Sequence, residues 1–340
     1  MSEIASFVDS TELSDDGPAL AARLAEDGYL FLRGLLPRDE VMAVRARLLE
    51  LAAAGGWLDP DQPVEAGIAR PEAACKDPEP EFLRVYGPMW KDEALHGLRL
   101  HPDVTGLFER ILGEAVLTHP MFVLRSIFPQ REDFDFTTGM HQDKVHIGGA
   151  TNHALWVPLG DCPREKGSLA VAAGSHKAGV LDFEVGSGAG GMSLVGPIPG
   201  TWVGGDFEAG DGLIFSDTTV HKALPNRSGE IRQSFDARYQ AASQPIAERE
   251  LKTYADMFAW EEVYEGWESS EHRYYWRKLE PRIMPFDNSY YERRDTMAFE
   301  MAARGETAAR DALLRIIQRD SDGDKRVRAR ALLARLDAAA

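Results

Sequence analysis

The chain has 340 residues, 44% of them hydrophobic, which is enough for one large core or two modest ones and excludes disorder as the default state. A net charge of −17 argues against nucleic acid or an anionic membrane as a general partner, since both reward a basic surface. Only two cysteines occur, Cys75 and Cys162, so neither a disulfide framework nor a cysteine-rich zinc site is expected.

No apolar run is long enough to span a bilayer, and Met1-Ser2-Glu3-Ile4 lacks the basic and apolar stretches of a signal peptide, so the expected compartment is the cytoplasm. Residues 18–26 read as a short helix, Asp27-Gly28 as a turn and Tyr29-Leu30-Phe31-Leu32 as a compact apolar strand ending at Gly34. Val41, Val44, Leu48 and Leu51 recur at helical spacing until Gly55-Gly56 ends the pattern. Residues 57–93 are rich in Pro, Asp and Glu without a clean period and read as a long loop. A helix follows over 103–112, with Asp103 as its N-cap.

The chain then becomes a series of short strands, expected at 122–128, 141–147, 154–159, 169–172, 201–203, 213–215 and 231–239, punctuated by Gly, Pro and Asn. That pattern predicts a mainly β sandwich or barrel of the jelly-roll kind with flanking helices. The Gly-rich stretch 186–200 lacks the Gly-Lys-Ser/Thr ending and the helix of a phosphate-cradling loop, and reads as a flexible loop beside the barrel mouth. Beyond Gln244 the pattern turns helical again. An aromatic cluster over 260–276 is expected to pack against the barrel. Two last helices near 308–317 and 327–336 form a hairpin that offers a homodimer surface. Between them, Asp320-Ser321-Asp322-Gly323-Asp324 mimics a calcium loop but has Lys325 where Gly is needed and Ala331 where Glu is needed.

The chemistry gathers around Gly139-Met140-His141-Gln142-Asp143-Lys144. On a strand, His141 and Asp143 would share a face and offer an imidazole and a carboxylate to one metal ion. A second imidazole from the distant Gly210-Asp211-Gly212 to His221 segment would complete two His and one carboxylate, the ligand set of non-haem Fe(II) oxygenases. The other His-x-Asp, His101-Pro102-Asp103, opens a helix and is explained by that alone. Arg232 follows His221 on a strand and can grip a carboxylate in a bidentate pair.

With Trp156 to Asp161, Lys166-Gly167-Ser168-Leu169 and Gly174-Ser175-His176-Lys177 in the same order, the chain resembles the phytanoyl-CoA dioxygenase-like family of Fe(II)/2-oxoglutarate-dependent oxygenases from about Asp27-Gly28-Tyr29 through Tyr239. The resemblance implies a double-stranded β-helix core, about 115–244, in an oxygenase domain of residues 1–244. Residues 245–340 are then a helical extension packed on that core. It implies that His141, Asp143 and His221 bind Fe(II), that Arg232 holds the distal carboxylate of 2-oxoglutarate, and that Gln142 contacts the co-substrate. Ser234 shares the strand face of Arg232 and is expected to reach the same carboxylate. Ala223 departs from the family, which can carry a polar side chain there.

His146, on the opposite face of a regular strand from His141, is a candidate for substrate binding only if a bulge redirects it. Arg125 and Arg238, each on a barrel strand, either bind a substrate acid or pair with a carboxylate. His176 is expected to stabilise its turn, His119 and His153 to be structural or surface histidines, and Trp156 to be barrel core. The expected reaction uses dioxygen and 2-oxoglutarate to hydroxylate, or otherwise oxidise, a C–H bond of a small molecule, releasing succinate and carbon dioxide. Retention of Asp143 separates the chain from related halogenases, in which a small residue leaves room for chloride. The competing expectation is a cupin-type metal-dependent isomerase, lyase or sensor without oxygen chemistry, which leaves Arg232 without its partner.

Overall fold

The structure is a computed structural model that describes residues 4–132, 137–186 and 189–339. Its first half contains β1 (Ala5–Ser6), α1 (Gly17–Asp27), β2 (Tyr29–Leu32), α2 (Arg38–Ala54), α3 (Pro80–Trp90), α4 (Glu93–Leu98), α5 (Pro102–Leu112), β3 (Val116–Thr118), β4 (Val123–Ile127), α6 (Lys144–Ile147) and β5 (His153–Pro158). There follow β6 (Leu169–Ala173), β7 (Phe183–Val185), β8 (Met192–Leu194), β9 (Thr201–Gly204), β10 (Gly212–Ser216), β11 (His221–Ala223), β12 (Arg232–Ala241) and β13 (Ile246–Ala247). The chain closes with α7 (Trp260–Val263), β14 (Ile283–Met284), α8 (Ser289–Ala303), α9 (Arg310–Arg319) and α10 (Gly323–Ala339).

Two facing sheets form the centre. One runs β2-β10-β5-β12-β3, with β4 also paired to β12, and the other runs β1-β9-β6-β11. The chain passes from one sheet to the other between β5 and β6, β9 and β10, β10 and β11, and β11 and β12, which is the winding of a double-stranded β-helix. Alternation along the strands decides what each face meets. Tyr29, Phe31, Ala154, Trp156, Leu213 and Phe215 turn inward against Leu169, Val171 and Val203 of the second sheet. Their neighbours Leu30, Leu32, Leu155, Val157 and Ile214 turn outward into a larger core with the helices before β3. A one-residue slip would exchange these two sets, so the register is strongly specified.

Two corners fix how strands enter the site. Gly28 ends α1 at a φ of 78°, and a Cβ there would lie 2.3 Å from His176 Nδ1, while His176 Nε2 stands 2.9 Å from the Ala25 carbonyl. His176 is thus a loop anchor, as its turn predicts. Gly210 has a φ of 102° and a Cβ there would sit 2.4 Å from the Leu36 carbonyl oxygen. Asp211 accepts hydrogen bonds from Gly34 N at 3.0 Å and Glu208 N at 2.8 Å and pairs with Arg33. The Gly210-Asp211-Gly212 segment is therefore a braced corner that launches β10.

Several expectations change. Residues 57–93 are not a long loop, because α3 occupies 80–90 around Phe82, Tyr86, Met89 and Trp90, all buried in the larger core. The helix α5 is capped by His101, whose side chain accepts from Asp103 N at 3.2 Å, so Asp103 lies inside the first turn. The stretch 186–200 contains β8, which pairs with β7 as a hairpin, and Gly191 just before β8 lies against Ala312 of the C-terminal helices. The aromatics over 260–276 pack on α3 and α4 as well as on the sheet, with Trp260, Trp267 and Trp276 in or against the core of Trp90 and Leu95. Helices α8, α9 and α10 build a small core of their own around Phe299, Leu313, Ile316 and Leu332. In the calcium-loop mimic, Lys325 Nζ reaches Asp320 at 3.0 Å and Asp295 at 2.7 Å, supplying the positive charge itself. No helix among the described residues is long and apolar enough to cross a membrane.

Candidate active site

His141 and His221 are eighty positions apart and directly opposite in space. They form an isolated antiparallel bridge, exchanging N–H to carbonyl bonds of 3.1 Å in both directions, with ring centres 4.1 Å apart. The strand expected over 141–147 is absent. After the bridge, Asp143 takes a helical conformation and starts the short helix α6, and this turn swings its carboxylate back to the imidazoles. Ligand atoms of His141, Asp143 and His221 all lie within 4.8 Å of one another, and all three side chains are buried.

The local carbonyls set the imidazole tautomers. His141 Nδ1 stands 2.8 Å from Gly139 O, and His221 Nδ1 stands 3.1 Å from Thr219 O. A carbonyl only accepts, so both Nδ1 atoms carry the proton and both Nε2 atoms present lone pairs. Each Nε2 lies 3.8 Å from the same oxygen, Asp143 Oδ1. Burial pushes the pKa of both imidazoles below the ordinary histidine value, most strongly at His141, where His221 adds to the effect. Burial alone would raise the Asp143 carboxyl, but Arg238 and the neighbouring histidines outweigh it and hold it well below the usual range. Two neutral imidazoles and an anionic carboxylate are the protonation states a divalent metal requires, so the residues fit one.

Arg238 Nη2 lies 2.9 Å from Asp143 Oδ2, off the direction of a hydrogen bond, and leaves Oδ1 facing the imidazoles. Arg125 is paired with Asp236 at 2.7 Å. Of the two outcomes open to these arginines, both take the carboxylate partner. Gln142 is a correction: its amide donates to Gly179 O at 2.8 Å and Thr218 O at 2.5 Å and its oxygen accepts from Leu181 N at 2.8 Å, so it ties loops together and is spent there. The alternation that turns His141 inward turns Gln142 away.

Arg232 is only 2% exposed and donates to Ser234 Oγ at 2.7 Å, while its Nε has no partner among the described residues. No carboxylate among those residues pairs with it, and burial pushes its pKa down to about 10. Ser234 thus braces Arg232 from the same strand face. Arg232, His141, His221 and Trp156 line one recess. Trp156, read as core, does pack edge-on to Phe207 at 4.8 Å, yet its Nε1 is buried without a partner. Sequence order could not single it out, because only the fold shows an apolar residue presenting an orphan donor.

Beside the cluster opens a cavity of about 570 Å³. His141, Asp143, Arg125 and Arg238 line its floor, and Arg249, Tyr291 and Arg315 of the C-terminal segment line its roof. His146 also lines it, against the expectation for a strand, because α6 replaces the strand and brings its ring 6.0 Å from that of His141. His119 is buried, with its ring nitrogens 3.1 Å from Glu250 and 2.8 Å from Gln240, in a structural role.

Comparison with known proteins matches the family model "Phytanoyl-CoA dioxygenase (PhyH)" over residues 24–234. The chain is 32% identical over 260 residues to 1-deoxypentalenic acid 11-beta-hydroxylase of Streptomyces exfoliatus, covering 71% of this chain and 87% of that protein. The enzyme of the same name from Streptomyces arenae is 31% identical over 257 residues, covering 70% and 86%. Among solved structures, the epimerase SnoN in complex with Fe3+, alpha ketoglutarate and nogalamycin RO aligns with a TM-score of 0.49 and 24% identity, covering 67% of this chain and 85% of that one.

Proposed function

The chain belongs to the phytanoyl-CoA dioxygenase family, and from that premise we propose that His141, Asp143 and His221 hold its iron and that Arg232 receives the far carboxylate of 2-oxoglutarate. It is an Fe(II)- and 2-oxoglutarate-dependent hydroxylase that uses dioxygen. The observation carrying the site assignment is the pair of Nε2 atoms that each stand 3.8 Å from one oxygen of Asp143. When bound, iron supplies the oxygen activation that couples decarboxylation of 2-oxoglutarate, yielding succinate and carbon dioxide, to oxidation of a substrate C–H bond.

The protein's own contribution is positioning. Gly139 O and Thr219 O hold the two rings in the ligating tautomer. Arg238 lies 2.9 Å from Asp143 Oδ2, so that Oδ1 is the oxygen that would hold a metal together with the two imidazoles, leaving room for the co-substrate and dioxygen. Ser234, two residues along the same strand, accepts from the Arg232 guanidinium, and the Trp156 indole N–H adds a second donor in the same recess. The cavity beside the cluster takes the substrate, a small molecule of largely apolar body, in keeping with relatives named for 1-deoxypentalenic acid. Residues 1–244 serve as the oxygenase domain and 245–340 as an extension that roofs the cavity, in a cytoplasmic protein that pairs as a homodimer through its last helices.

Anaerobic protein loaded with Fe(II) should develop a weak visible charge-transfer band when 2-oxoglutarate is added, and Asp143→Ala should abolish both the band and succinate release. Iron binding without a band in the wild type would favour the cupin-type reading instead.

A further inference from the structure

The cavity roof comes from a part of the chain beyond the family match, which ends at residue 234. Its charges are nearly all answered. Besides the Arg125 and Arg238 pairs, Arg294 holds Asp295 at 2.5 Å, and Arg315 and Arg319 reach Asp77 at 3.6 and 2.5 Å. Arg249 differs. It is half-buried in the same wall, and no ion pair or side-chain hydrogen bond joins its guanidinium to any described residue. Its carbon instead lies 4.8 Å from the Phe286 ring centre and 5.1 Å from that of Tyr291. Stacking of this kind holds the group in place and leaves its N–H donors unassigned.

Tyr291 connects this cation to the metal cluster. Its hydroxyl is 3.0 Å from His146 Nδ1, and the His146 ring is 6.0 Å from His141. His146 Nε2 is buried and has no partner among the described residues. Met121, Val123, Ile127 and Ile147 add apolar surface to a lining otherwise rich in polar side chains. A cavity that holds the metal cluster, these apolar side chains and an unanswered cation suits one kind of molecule.

We propose that Arg249 anchors a carboxylate of the substrate, with His146 as a second polar contact, so that the substrate is an apolar carboxylic acid whose body spans the distance to the metal cluster. The inference rests on the reading of His141, Asp143 and His221 as the iron site. A planar carboxylate matches the paired N–H donors of a guanidinium, and the partly enclosed wall strengthens the pair relative to water.

The test uses the Fe(II)- and 2-oxoglutarate-loaded enzyme, titrated anaerobically by calorimetry with decanoate, 1-adamantanecarboxylate and 2-naphthoate, each beside its methyl ester. The wild type should bind at least one acid about tenfold more tightly than its ester, the scale of a charge-assisted hydrogen bond. Arg249→Gln should bring each acid to within about twofold of its ester, while Arg249→Lys keeps part of the preference and thereby separates loss of charge from loss of fold. Absence of any acid preference in the wild type, binding of no pair included, or an unchanged preference in Arg249→Gln, overturns the anchor. If the wild type forms no charge-transfer band with Fe(II) and 2-oxoglutarate, the iron-site reading itself has failed, a result distinct from either.

Discussion

At the scale of single residues, Arg232 is a costly side chain to bury, at 2% exposure with no carboxylate among the described residues paired to it. Removing a guanidinium from water without a carboxylate partner costs several kcal/mol, and Ser234 offers only a neutral oxygen at 2.7 Å in return. If, as proposed, the group serves 2-oxoglutarate, replacing it should help the empty protein and harm the loaded one. Arg232→Gln is expected to leave Tm unchanged or raise it, while the KM for 2-oxoglutarate rises on the order of 10- to 100-fold, a charge-assisted pair being worth about 1.5–3 kcal/mol. Thermal unfolding and succinate release read the two effects separately; a lowered Tm with an unchanged KM would make Arg232 an ordinary structural cation. Residue type and order pointed to His141, Asp143 and His221, which the fold brings together, and to Arg232, which shares a recess with both histidines. The direction of Gln142 and the orphan N–H of Trp156 were hidden, since both depend on which way a bend turns the chain.

At the scale of elements, the roof of the cavity is tied to the body at Asp77, which meets Arg315 and Arg319 of α9. If Asp77 is removed, Arg315 keeps Asp311 at 2.8 Å, whereas Arg319 keeps the neutral Tyr254, by its hydroxyl and by its ring at 5.6 Å. Asp77→Ala should therefore loosen the roof by roughly 1–3 kcal/mol, a partly buried pair losing one partner. Hydrogen exchange should accelerate across α8 to α10 while β5 and β12 stay protected, and uniform exchange in all of them would mean that the latch carries nothing. The strands of the two sheets were legible because their alternation is strict: Tyr29 and Phe31 face one core, Leu30 and Leu32 the other. The segment 57–93 was not, because its Pro and acidic residues mask the apolar face of α3, which becomes apparent only against Trp57 and Phe122. At 141–147, a single bridge residue followed by a helical turn carries no period long enough to read.

At the scale of the whole molecule, the fold stores neutral histidines. His96 is held well below the ordinary value by burial and by Arg99; burial brings His146 to about 3 and His153 to about 4; and His141 and His221 are lowered as well. When the chain unfolds, each returns to an ordinary value near 6.5. Above that value both states are neutral and the stability is fully present. Between 6.5 and the lowered values the unfolded chain takes up protons that the folded chain refuses, so stability falls as pH falls, by about 1.4 kcal/mol per pH unit for each such proton. Protonation of surface carboxylates relieves the repulsion of a −17 chain and works the other way, but mostly below pH 5, so histidine governs the upper part of the window. The metal-free protein is expected to lose Tm steadily from pH 7 to 5 and to take up about two or more protons on unfolding near pH 5.5. His153→Gln, which removes one half-buried imidazole away from the metal cluster, should flatten that slope by a measurable fraction. Fe(II), which binds only the neutral rings, should raise Tm more at pH 7.5 than at pH 5.5. Proton uptake below one, measured from the pH dependence of urea unfolding, would mean that these rings titrate alike in both states and that their burial leaves no mark on stability.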